Sequence, residues 1–167
     1  MLRFTNYNIV FQEIPDEVTL AINLSNCPNR CEGCHSPYLR EDIGDVLNEE
    51  TLSKIIDKYQ SAITCVCFMG GDAAPQNVEK LAYFLHHKTN GRIKTGWYSG
   101  KDTLPTTCSL QHFDYLKLGA YTKHLGGLNA TTTNQRFYQI KNGEMIDITS
   151  RFQGRSTFDT QKSTPIR

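Results

Sequence analysis

The chain reads as an α/β protein built on a mainly parallel sheet with a C-terminal hairpin. Three observations predict this. Short apolar runs alternate with amphipathic stretches. The connections between those runs are long enough to hold helices, and parallel neighbours need such crossovers. Near the end, two short apolar stretches flank Asn142-Gly143, a two-residue turn signal.

Taken in order, Val18 to Leu24 (VTLAINL) is the first buried strand. A loop rich in Cys, Pro and Gly runs from Ser25 to about Val46. Asn48 then caps a helix over 49–60, with Glu49 and Glu50 in its first turn. Leu52, Ile55, Ile56 and Tyr59 form the apolar stripe of that helix. Ile63 to Met69 (ITCVCFM) is a strand buried on both faces, and it ends in Gly70-Gly71-Asp72.

A second helix opens at Pro75, carries Val78, Leu81, Ala82 and Leu85 on one stripe, and stops at Asn90-Gly91. Ile93 to Tyr98 and Phe113 to Leu118 are further strands. Phe137 to Ile140 and Glu144 to Ile148 make the hairpin. The organisation expected is one domain over 1–153 and a loose polar tail over 154–167.

The chain has 167 residues, 38% of them hydrophobic and 21% charged, with a net charge of +1. That length buries a core without disulfide staples. No dense Lys/Arg patch calls for nucleic acid, and no apolar run approaches the roughly 20 residues of a membrane span. The N-terminus lacks the pattern of a signal peptide, so a cytoplasmic location is expected. There thiols stay reduced, and the six cysteines read as ligands, core residues or reactive thiols.

Three of them, Cys27, Cys31 and Cys34, are spaced C-x3-C-x2-C. A loop so spaced can wrap one face of an iron–sulfur cubane and ligate three irons. No fourth cysteine is close in sequence, so the fourth iron would stay open, the mark of chemistry rather than structure. Zinc is an alternative, since thiolates suit it too. However, the chain has no second ligand pair, and His35 adjoins Cys34 too closely for both side chains to aim at one ion with ease. A disulfide with one free thiol is a further alternative, disfavoured in a reducing compartment.

In an α/β sheet, ligands gather at the C-terminal strand ends. The cysteine loop follows one strand and Gly70-Gly71-Asp72 follows another, so both are expected on one rim.

The segments Cys27–Tyr38 (CPNRCEGCHSPY), Met69–Asp72 (MGGD), Phe113–Tyr121 (FDYLKLGAY) and Thr133–Ile148 (TNQRFYQIKNGEMIDI) resemble the radical S-adenosylmethionine superfamily. Within it, the chain is similar to the activating proteins of anaerobic ribonucleoside-triphosphate reductase. The resemblance implies a small partial (β/α) barrel. It implies an enzyme whose cofactors are a [4Fe–4S] cluster on Cys27, Cys31 and Cys34 and S-adenosylmethionine. The methionine part would chelate the unique iron, with Gly70 and Gly71 letting backbone approach its amino group. Asp72 would complement the ammonium or fix the turn. Gly33 and His35 would lie near the adenine. The partners implied are the glycyl-radical subunit of the reductase and a low-potential electron donor. Another glycyl-radical enzyme, a small-molecule substrate, or a non-catalytic metal-binding or electron-transfer module are the alternatives.

The remaining candidates carry plainer expectations. Cys65 and Cys67 share one strand face and read as buried. Cys108 is isolated, and His86 and His87 sit where imidazolium suits a helix C-terminus. Trp97 and Tyr98 end a strand on the proposed rim, with packing as their expected role. Asp114, Lys117, Tyr121 and Arg136 are polar residues for which surface or structural roles stand beside cofactor contact.

Overall fold

The structure, a computed structural model, describes residues 1–154. Beyond Gly154, the polar tail expected from the sequence lies outside the described residues. Ten regular elements follow one another: β1 (Leu2–Val10), β2 (Thr19–Leu24), β3 (Asp45–Leu47), α1 (Glu49–Tyr59), β4 (Cys65–Met69), α2 (Pro75–Thr89), β5 (Lys94–Tyr98), β6 (Tyr115–Leu118), β7 (Arg136–Lys141) and β8 (Glu144–Asp147). The strands form one sheet in the order β3-β1-β2-β4-β5-β6-β7-β8.

The sheet departs from the mainly parallel one expected. Its centre, β2-β4-β5-β6, is parallel through three pairings. Its flanks are antiparallel through four. The connections explain the division. Long crossovers carrying α1 and α2 precede β4 and β5, whereas β7 and β8 are joined by Asn142-Gly143, both at positive φ. The β5–β6 crossover holds only a 3-10 turn, Leu110–His112, and is parallel all the same.

β1 escaped the sequence pattern because it is bulged. Phe4 pairs with Leu24 and Asn6 with Asn23, so the register shifts between them. Leu2 and Phe4 are buried, and after the shift Tyr7 and Ile9 pack against the same cluster. A strict two-residue alternation misses that change of phase.

Both helices begin as their end residues dictate. Asn48 Oδ1 accepts the Thr51 N–H at 2.9 Å. Pro75 opens α2, and Asn90 closes it in the left-handed region at φ 50°. Salt bridges Lys80–Glu49 (3.3 Å) and Lys88–Asp57 (2.8 Å) link α1 and α2. Leu52, Ile55 and Ile56 of α1 and Val78, Leu81 and Leu85 of α2 pack with Leu20, Ile22, Val66 and Phe68 of the sheet. A smaller cluster gathers Cys65, Cys67, Tyr115 and Phe137 with Ile14 and Phe152. The alternation of Val66 and Phe68 with Cys65 and Cys67 therefore divides β4 between two cores.

At the N-terminal ends of the parallel strands a polar network closes the sheet. The buried Glu17 carboxylate accepts from Thr64 Oγ1 (2.6 Å), Lys94 Nζ (2.5 Å) and Tyr115 Oη (2.7 Å). Burial and then the Glu17 hydrogen bond push the Tyr115 hydroxyl up to about 12. Lys94 is raised chiefly by its bond to Glu17. A folded value above the unfolded one stabilises below the unfolded pKa, here 10.0 for Tyr115, and that stability is lost as pH rises through the folded value. Tyr115→Phe should therefore cost about 1 kcal/mol at neutral pH, the worth of one such bond. It should also flatten the alkaline fall in stability between pH 10 and about 12, measured by denaturant unfolding across that range.

Candidate functional site

Four loops leave the C-terminal ends of β2, β4, β5 and β6, and the cysteines, Gly33, His35 and Gly70-Gly71-Asp72 lie on the first two. The cysteine loop follows Leu24, Gly70-Gly71-Asp72 follows Met69, Ser99-Gly100 follows Tyr98, and Gly119 follows Leu118. The single rim expected for the first two segments is present, and it is wider than two loops.

Backbone contacts shape the cysteine loop where regular structure is lacking. Asn26 takes φ 57°, and its N–H bonds Glu41 O at 2.9 Å, while the Cys27 N–H bonds Leu39 O at 2.9 Å. The Cys34 N–H reaches Cys31 O at 3.3 Å, with Gly33 at φ 74° between them. One Arg40 guanidinium nitrogen holds Cys31 O at 2.8 Å. The 3-10 turn Pro37–Arg40 closes the segment.

Cys27, Cys31 and Cys34 are free thiols of intermediate burial. The Ser36 N–H donates to Cys34 Sγ at 3.4 Å. Burial chiefly, with charge from Asp72 and Cys31, pushes the Cys27 thiol up. Among the described residues, no three His, Cys, Asp or Glu side chains are gathered to hold one metal ion. A cubane makes a different demand, since each thiolate meets its own iron at a separate corner.

The chemistry of the surroundings suits such a group. Arg40 Nε is buried with no hydrogen-bond partner, a donor that an anionic cluster beside the loop would satisfy. Lys117, buried on β6, places its Nζ on Gly119 O (2.7 Å) and Ser99 O (3.4 Å). Burial draws Lys117 down to about 8, against the pull of Asp72, Cys31 and Cys27, in that order. The residues present therefore fit an iron–sulfur cluster by donor type and by charge.

The Gly-Gly turn is held from within. Gly70 donates to Tyr98 O (2.9 Å), and its carbonyl accepts Trp97 Nε1–H (2.8 Å). The Gly71 carbonyl accepts the Ala74 N–H at 2.9 Å. Both glycines have positive φ, 104° and 93°. A Cβ on Gly71 would lie 2.6 Å from Val78 Cγ2 and 2.9 Å from Leu24 Cδ1. Packing alone thus accounts for the second glycine.

Asp72 accepts three hydrogen bonds from the protein. Its Oδ1 accepts Ser99 Oγ–H (2.6 Å), and its Oδ2 accepts Asn29 Nδ2 (2.6 Å) and the Gly100 N–H (2.8 Å). Across the loop, Gly33 and His35 are exposed beneath the segment after Gly119. The His35 ring lies 5.8 Å from that of Tyr121, and a Cβ on Gly33 would meet Lys123 Cδ at 3.4 Å. Lys123 also pairs with Glu32 at 3.7 Å.

Other candidates lie apart. Cys65 and Cys67 are fully buried, and burial pushes both thiols well up, which makes them poor nucleophiles. Trp97 is buried and stacks on Phe113 at 5.5 Å. His86 and His87 join Tyr83 and His112 at the far end of α2. Asp114 accepts the Thr95 N–H at 2.8 Å, and Arg136 pairs with Asp147 at 4.0 Å. Sequence reasoning missed Asn29, Ser99, Gly100 and Arg40. The available signal was Ser99-Gly100, a small-residue turn closing a strand as Gly70-Gly71 does one unit earlier.

A loop of three spaced thiols at the C-terminal ends of parallel strands carries the donor set of a metal-cluster protein. Residues 18–117 match the family described as the 4Fe-4S single cluster domain, and the chain belongs to that family. No curated protein matches the chain, and no solved structure does. Among the described residues, no helix is long and apolar enough to cross a membrane.

The crowding at Gly71 is testable. Gly71→Ala should cost about 1–3 kcal/mol through overpacking and a strained positive φ. Thermal melting of the metal-free protein measures it, since the clash is with Val78 and Leu24 rather than with a ligand.

Proposed function

We propose that Cys27, Cys31 and Cys34 hold three irons of one [4Fe–4S] cluster. The fourth iron takes S-adenosylmethionine, and the chain activates anaerobic ribonucleoside-triphosphate reductase. One observation carries this reading: the C-x3-C-x2-C loop and Gly70-Gly71-Asp72 share one rim and are bonded to each other through Asn29 and Asp72. The family match supports the cluster, and the parallel strands β2, β4, β5 and β6 support a partial barrel as its frame.

When bound, the cluster supplies one low-potential electron to the sulfonium, whose S–C5′ bond breaks to give methionine and a 5′-deoxyadenosyl radical. The chain's own residues bind and orient. The Ser36 N–H, already on Cys34 Sγ, stabilises charge on that thiolate. Gly70 and Gly71, without side chains, would let backbone approach the methionine ammonium. Lys117 brings a buried positive charge toward the rim. Gly33 and His35 are exposed on the loop, and in this reading they would contact the adenine.

The chemistry so supplied would be removal of a hydrogen atom from a glycine Cα of the reductase, which would leave a glycyl radical there and 5′-deoxyadenosine as the co-product. A glycine presents no side chain to block approach, and its flanking amides stabilise the product. A low-potential donor restores the electron.

The test is anaerobic reconstitution with iron and sulfide, reduction, and addition of S-adenosylmethionine. 5′-Deoxyadenosine should form, and replacing any one of Cys27, Cys31 or Cys34 with Ala should abolish it. No product from the intact chain, or full turnover in such a variant, would contradict the assignment. An electron paramagnetic resonance signal from a glycyl radical should arise in the coexpressed reductase, and its absence would remove the partner from the proposal.

A further inference from the structure

We propose that Asp72 is a positioning residue: through Asn29 it buckles the cysteine loop to the end of β5 and so fixes the spacer between Cys27 and Cys31. This rests on the reading of those cysteines as cluster ligands. It replaces the expectation that the Asp72 carboxylate meets the ligand's ammonium.

Three of the four lone-pair sites of the Asp72 carboxylate are occupied by protein donors at 2.6 to 2.8 Å. Two of the donors, Ser99 Oγ and the Gly100 N–H, belong to the end of β5. The third, Asn29 Nδ2, comes from the middle of Pro28-Asn29-Arg30, the spacer between the first two cysteines. One carboxylate therefore ties the loop to the sheet. Hydrogen bonds to a charged acceptor are the stronger kind.

The packing around Gly100 points the same way. A Cβ on Gly100 would fall 2.2 Å from Asn29 Nδ2 and 2.9 Å from Asn29 Cγ. The Asn29 side chain thus lies directly on the bare Cα of Gly100, and no larger residue leaves it room. Ser99 is itself oriented, since its Oγ accepts the Lys101 N–H at 3.0 Å. On the loop side, Cys27 Sγ lies 3.8 Å from Asn29 O. Displacing Asn29 therefore moves the backbone against which the first thiol rests. A shift in that spacer changes the spacing of two irons' ligands together.

The experiment compares the intact chain with Asn29→Ala, Gly100→Ala, Asp72→Asn and the Asn29→Ala/Asp72→Asn double variant. Each is reconstituted anaerobically. Bound iron is counted, and the cluster's visible absorbance is followed during a chelator challenge. Melting of the metal-free forms reports the fold separately. The single variants should lose the cluster about tenfold faster, the worth of one hydrogen bond to a charged group. Asn29→Ala should leave the metal-free melt nearly unchanged. The double variant should lose little more than either single one, because both substitutions open the same buckle.

Retention by Asn29→Ala and Gly100→Ala equal to that of the intact chain would overturn the buckle alone. So would an Asp72→Asn variant that keeps the cluster yet no longer binds S-adenosylmethionine, because Asp72 would then serve the ligand directly. An intact chain that takes up no iron would overturn the ligand assignment, and the buckle with it.

Discussion

Parallel pairing of β2 with β4, β4 with β5 and β5 with β6 is the constraint on which the site depends. It forces the four chain segments that leave those strands to the same edge. The cysteine loop is irregular and has no core of its own. Its geometry comes from its own returning segment, through the Leu39 and Glu41 carbonyls and Arg40, and from the carboxylate of Asp72 at the sheet edge. The antiparallel flanks contribute no loop to this edge between Cys27 and Asp72. They extend the sheet on either side.

The two ends of the parallel strands are built for different purposes. At the N-terminal ends a buried carboxylate, Glu17, meets a lysine and two hydroxyls, and its charge is met within the fold. At the C-terminal ends polar groups are left over. Among the described residues Arg40 Nε has no hydrogen-bond partner, and Cys27, Cys31 and Cys34 carry no disulfide. Such leftovers are costly unless a ligand meets them. An anionic cluster with a charged ligand is the kind of group that would.

Much of this was legible in the sequence, for local reasons. α1 and α2 announce themselves by stripe and cap, and both end within a residue or two of where Asn48, Pro75 and Asn90-Gly91 place them. The hairpin turn is fixed by Asn142-Gly143. The cysteine spacing needs no fold to be noticed. What stayed hidden depends on tertiary context. The bulge after Phe4 disguised β1, and three-residue β3 is too short to show a period. The absence of a helix between β5 and β6 could not be weighed against parallel pairing. Asn29, Ser99 and Gly100 are common loop residues, and only their approach to Asp72 gives them meaning. Gly-Gly-Asp reads as a ligand-facing turn, yet the structure gives Gly71 a packing reason and Asp72 three protein partners.

The proposed cofactor is an iron–sulfur cubane with one corner left for S-adenosylmethionine. Its most direct test is the electron paramagnetic resonance spectrum of the reduced, reconstituted protein, recorded with and without S-adenosylmethionine carrying a 17O-labelled carboxylate. The account predicts a changed signal and line broadening from the label, as oxygen binds the open iron. A spectrum indifferent to the ligand and to the label would contradict it.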